Sequence, residues 1–207
     1  MNTTLDWNTS ALLVVDPQVD VLSTESVIWD LLGEQVTKRG VVEKLVSLRD
    51  QAEQSGVPVL YSWLQVTEGD YAAWNLRNAL QHLTADRQMM LPGKGGRFIP
   101  ELEPTATTVL LSPRKGPSPG HSDLVVQLRQ RGIETVIVAG MIANLCVEAH
   151  VRALTDEGFN AIVVGDAIAT TDDASHDATL ANFGLLATEV VDTPSIIEAL
   201  GAMPAAV

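Results

Sequence analysis

The stretch VIVAGMIANLCVEAHVRAL, Val136–Leu154, opens as a run of β-branched residues, turns at Gly140 and continues with helical spacing. It reads as a strand, Thr135–Ala139, then a tight turn, then a helix, Asn144–Glu157, with the chain's single cysteine, Cys146, in the first helical turn. Working outward, five further short apolar runs have the same strand character: Ala11–Val15, Val57–Tyr61, Thr108–Ser112, Ala161–Gly165 and Thr188–Asp192. Segments of helical period separate them: Gln35–Gln54, Tyr71–Leu83, Ser122–Arg131, Asp173–Phe183 and Ser195–Leu200. Glycines at Gly56, Gly132, Gly158 and Gly184 supply stop signals. Leu91–Pro104, rich in Gly and Pro, reads as a surface loop inside the same domain. This βα alternation predicts an α/β fold, a three-layer α/β/α doubly wound sandwich around a mainly parallel, Rossmann-like six-stranded sheet.

The 207 residues, 46% of them hydrophobic and 19% charged, suffice for one domain, 1–207, with a sizeable core. Thirteen Lys and Arg against 26 Asp and Glu leave a formal charge of −13, which argues against nucleic acid and anionic lipid as partners. No apolar run approaches the ~20 residues of a membrane span, and MNTTLDWNTS does not read as a secretory leader, so a cytoplasmic location is expected. One cysteine excludes an internal disulfide.

In a doubly wound sheet the ligand lies beyond the carboxyl ends of the strands, where strand order reverses. Three chemically useful residues stand there: Asp16 after the first strand, Lys115 in the Pro/Gly-rich loop after the third, and Cys146 after the fourth. Cysteine attacks as thiolate, which a helix N-terminus favours. An aspartate within reach could take the thiol proton and return it to a leaving group. An ammonium nearby would hold that aspartate ionised. Backbone N–H groups of the turn before Cys146 could meet the oxyanion of an attacked carbonyl. Taken singly, each residue also has a plain reading: a buried thiol as a small hydrophobe, an aspartate as a cap, a loop lysine as a solvated charge. Asp20 reads as a solvated turn residue in preference to a second acid near the pocket, His150 as a packing histidine in preference to a general base for Cys146, and Asn144 as the cap of the Cys146 helix.

The segments ALLVVDPQVD (Ala11–Asp20), the Arg114-Lys115 loop, VIVAGMIANLCVEAHVRAL and GFNAIVVGDAIAT (Gly158–Thr170) resemble the isochorismatase-like cysteine hydrolases, which include nicotinamidases and N-carbamoylsarcosine amidohydrolase. The resemblance carries the family's catalytic triad onto Asp16, Lys115 and Cys146. It carries the family's cis peptide onto Met141–Ile142 and its oxyanion hole onto the N–H groups of Ile142 and Cys146. It implies hydrolysis of a small-molecule C–N bond (amide, carbamoyl or ureido) through a thioester, and a homo-oligomer, dimer or larger. No cofactor is implied. Nicotinamide-cleaving members carry an Asp/His metal cluster after the second strand, whereas Ser62–Asp70 holds no histidine, so no metal is expected and nicotinamide fits poorly. Trp63 and His121 are candidate substrate contacts, and Trp74 could wall an apolar pocket. The alternatives at this point are a catalytically silent scaffold, a phospho-acceptor module of similar fold and, among enzymes, a vinyl ether hydrolase of the isochorismatase type. The cysteine favours C–N hydrolysis over the last.

Overall fold

The computed structural model describes residues 5–201. Six strands form one sheet: β1 (Ser10–Val15), β2 (Val59–Ser62), β3 (Val109–Leu110), β4 (Thr135–Gly140), β5 (Asn160–Ile168) and β6 (Glu189–Val191). Their order is β3-β2-β1-β4-β5-β6, and all five pairings are parallel. The chain builds outward from β1 to β3, then returns to lay β4 against the other side of β1. The switch point therefore lies between β1 and β4, at the two strand ends that carry Asp16 and the Cys146 turn.

Period-two alternation makes the three layers. Leu12 and Val14 of β1 belong to one core with Leu32 and Val36 of α2 (Trp29–Arg39) and Leu45 and Leu48 of α3 (Val41–Gln54). Ala11, Leu13 and Val15 face the other core, closed by α6 (Leu124–Gln130), α7 (Glu148–Asp156) and α8 (Asp173–Leu186). The remaining helices are α1 (Val19–Leu22), α4 (Glu68–Ala73), α5 (Ala79–Asp86) and α9 (Thr193–Gly201). A strand buried on both faces needs an unbroken apolar run, and β1 and β4 have one.

Two expected helices divide. Gln35–Gln54 is α2 and α3, broken at Gly40, and Tyr71–Leu83 is α4 and α5, each with its own N-cap, Thr67 and Asn78. The segment 91–104 is irregular except for a 3-10 turn at Pro100–Leu102, and it is not merely superficial, since Leu91, Ile99 and Leu102 join the core. Asp20, read as a solvated turn residue, is buried instead. Its carboxylate accepts the N–H groups of Met90 (2.6 Å) and Val27 (3.4 Å), while its own N–H donates to the Gly95 carbonyl (3.0 Å). These bonds offset the cost of its burial and fasten the loop over the strand ends.

Candidate active site

β1 ends in a sharp turn: Asp16 has a left-handed backbone (φ 51°), its N–H donates to the Ser62 carbonyl (2.7 Å), and its side chain is 1% exposed. β4 ends at Gly140, φ 119°, where a Cβ would stand 2.1 Å from the Val15 carbonyl oxygen. Only glycine lets the two strand ends approach so closely. The Met141–Ile142 peptide is cis, and Ala143–Val147 form a single π turn leading into α7. Such turns recur at functional sites because they re-aim one side chain. Here Cys146 is brought beside the Asp16 carboxyl, close enough for each group to shift the other's titration, and both line the same cavity. Asn144, expected as the helix cap, is exposed and makes no capping bond; Ile142 holds the cap position. Among the described residues the Ile142 N–H has no backbone partner.

Beneath this pair lies a chain of buried polar groups. The Arg114 guanidinium donates to Asp16 Oδ1, to Ser62 Oγ (2.9 Å), and to the carbonyls of Gly116 (2.7 Å) and Pro117 (3.0 Å). Ser62 Oγ and His150 Nε2 are 2.8 Å apart, and His150 Nδ1 is 2.5 Å from the Cys146 carbonyl. Donor arithmetic leaves one proton assignment. Arginine only donates and a carbonyl only accepts, so His150 carries its proton on Nδ1 and Ser62 donates to Nε2. His150 is thus the satisfied packing histidine that its helical position suggests. Burial, with Arg114 adding to it, pushes its pKa down to about 3.

Burial lifts the Asp16 carboxyl above its ordinary range, against the opposing pull of Arg114 and of the neighbouring Cys146 thiol. Burial, and next the Asp16 charge, push the Cys146 thiol up. The resting thiol is therefore neutral, and the Arg114 guanidinium opposes the burial penalty on the Asp16 charge. A cavity of about 580 Å³ opens above it, lined by Asp16, Arg114, Ile142, Leu145 and Cys146 at the base. Among the described residues no three carboxylate, imidazole or thiol groups converge as metal ligands would.

The family model of the isochorismatase domain matches residues 10–195. The chain belongs to the isochorismatase family. It is 32% identical over 90 residues to YwoC of Bacillus subtilis, an uncharacterised isochorismatase family protein, covering 44% of this chain and 48% of that one. It is 30% identical to the ureidoacrylate amidohydrolase RutB of Acinetobacter baylyi over 82% of this chain and 71% of RutB. A crystal structure of a cysteine hydrolase from Pseudomonas syringae pv. phaseolicola superposes with a TM-score of 0.82 at 21% identity, covering 97% of this chain and 96% of that one.

In this isochorismatase-family chain the cation beside Asp16 is Arg114, which corrects the expectation for Lys115. After β3 the backbone stays paired with the segment beyond β2: Arg114 N–H donates to the Trp63 carbonyl (2.9 Å), Gln65 N–H donates to the Arg114 carbonyl (3.0 Å), and Leu64 faces Arg114 in a parallel bridge. Alternation along that extended stretch sends residue 114 inward and 115 outward. The Lys115 side chain is 49% exposed at the rim, and its Nζ pairs with Asp70. The same alternation places Trp63, expected as a substrate contact, outside the cavity lining. Its indole Nε1 donates to the Leu111 carbonyl (2.7 Å) and its ring packs on Phe98, outside the cavity lining, whereas Leu64 lines it. His121 and Trp74 do line the cavity. Sequence reasoning missed Arg114 and Ser62. The available signal was chemical: a fully buried cation is more often arginine, whose planar fork satisfies several acceptors at once.

Proposed function

We propose that the chain is a cysteine-dependent amidohydrolase of a small-molecule C–N bond, with Cys146, Asp16 and Arg114 as its catalytic set. Cys146 Sγ attacks the substrate carbonyl while Asp16 takes the thiol proton. The tetrahedral oxyanion is received by the Ile142 and Cys146 N–H groups. Asp16 then gives its proton to the departing nitrogen, the C–N bond breaks, and ammonia or an amine leaves a thioester on sulfur. Water, deprotonated by Asp16, attacks that thioester. The carboxylic acid departs and the thiol is restored, so the net reaction consumes one water per C–N bond cleaved.

The observation that carries this reading is the placement of the Asp16 carboxyl and the Cys146 thiol side by side in the lining of one cavity. Raised thiol and carboxyl pKa values support a proton held on sulfur until the carbonyl arrives, when transfer to Asp16 and attack are concerted. The relative named as an amidohydrolase agrees in reaction class. Ammonia release from small primary amides, carbamoyl amino acids and ureides tests it. The wild type should turn over at least one class, and Cys146→Ala none. Turnover retained by the alanine variant sinks the covalent route, and a silent wild type across all three classes overturns the amidohydrolase reading.

A further inference from the structure

Above its polar base the cavity is walled by Val21, Leu64, Val66, Leu80, Met89 and Met90. Tyr71 and Trp74 stand edge to face on one side, ring centroids 5.7 Å apart. The Tyr71 hydroxyl donates to the Met89 carbonyl (2.9 Å), so its polar end is spent and the ring remains as apolar wall. Such a surface gains from excluding water only when an apolar body fills it.

Charge points the same way. Two permanent cations line the cavity, and both are taken. Arg114 places four of its five N–H donors on Asp16, Ser62 and two carbonyls, and its charge is paired with Asp16. Lys115 is paired with Asp70, whose pKa is held down to about 2, first by the lysine and then by the Thr67 N–H and hydroxyl. Thr67 and Asp70 form the capping box of α4, so Asp70 is fixed in place by the helix it starts. Among the described residues no uncommitted permanent cation faces the cavity; His121, exposed at the rim, is the remaining basic group. A substrate carboxylate would be desolvated here without a partner, which is costly.

Building on the amidohydrolase reading, we infer that the substrate is a neutral amide whose acyl group is a compact aromatic or branched aliphatic body, and not a carboxylate-bearing ureido or carbamoyl acid. The apolar group fills the Tyr71–Trp74 side while the carbonyl meets Cys146. Phenylacetamide and isovaleramide, set against N-carbamoylglycine and succinamate, test this on the full-length protein. Turnover is read as ammonia release by the wild type, and binding as tryptophan fluorescence and thermal shift with Cys146→Ala. The neutral amides should exceed the acids by about 100-fold in kcat/KM, the scale on which an apolar pocket discriminates. They should also bind the alanine variant at least ~10-fold more tightly. Trp74→Ala should raise KM for phenylacetamide and leave kcat nearly constant. Acids that bind or react as well as the amides overturn the inference, whether or not the amidohydrolase reading survives. A wild type that binds the amides selectively but cleaves nothing overturns the amidohydrolase reading and leaves the cavity's preference standing.

Discussion

Arg114 holds four acceptors at once, and their spread defines its role. Asp16 needs a charge, Ser62 fixes the His150 side, and the Gly116 and Pro117 carbonyls close the loop beneath the cavity. Truncating one partner of a buried pair leaves the other charge uncompensated. Arg114→Met is therefore expected to cost about 3–5 kcal/mol of stability and to abolish turnover. Arg114→Lys restores a charge for Asp16 but not the fork, so it should fold and keep part of the activity. Lys115→Ala, removing a half-exposed rim ion pair, should affect both quantities far less than Arg114→Met. Urea unfolding and ammonia release on the three variants decide the matter. An inactive Lys115→Ala beside a fully active Arg114→Met would return the role to the lysine. The ammonium expected there was legible as a need for positive charge near Asp16. Which of two adjacent basic residues met it was not, because one step along an extended backbone reverses the side of the chain.

Two elements carry the chemistry, and both are strand ends that had to come close. The π turn Ala143–Val147 brings Cys146 to Asp16, and the Val15–Gly140 contact sets the distance across the switch point. Adding a methyl at Gly140 forces the β1 and β4 ends apart. Gly140→Ala should lose at least about 2 kcal/mol, or ~4–8 °C in Tm for a domain of this size. Turnover should fall further than stability, since Asp16 and Cys146 separate. Calorimetry with kinetics on the folded fraction checks it, and an unchanged Tm would mean that the strand ends have room to spare. The strand–turn–helix order around Cys146 was readable from β-branched residues giving way to helical spacing. The π turn was not, because one extra residue per turn leaves no mark on an apolar pattern already interrupted by a loop.

At the scale of the molecule, the buried polar chain from Asp16 to His150 ties stability to pH. His150 is held neutral in the folded chain, at about 3, while an unfolded histidine titrates near 6.5. Between those values the unfolded chain binds the extra proton. The histidine's contribution to stability is therefore fully present above about pH 6.5 and is lost as the pH falls toward 3. His150→Gln, which keeps a donor and an acceptor, should weaken the loss of urea stability between pH 7 and 5. An unaltered slope would show that His150 does not titrate on unfolding. The sequence by itself determined the six strands, their βα alternation and the family, together with the two strand ends where an aspartate and a cysteine stand. These follow from local period and residue type, which the chain carries without any partner. Tertiary structure alone decided that Arg114 and not Lys115 meets Asp16, that Trp63 turns away from the cavity, and that Asp20 is buried under the 91–104 loop. Each of those depends on the register of segments far apart in the chain, and register is set only when their side chains compete for the same interior space.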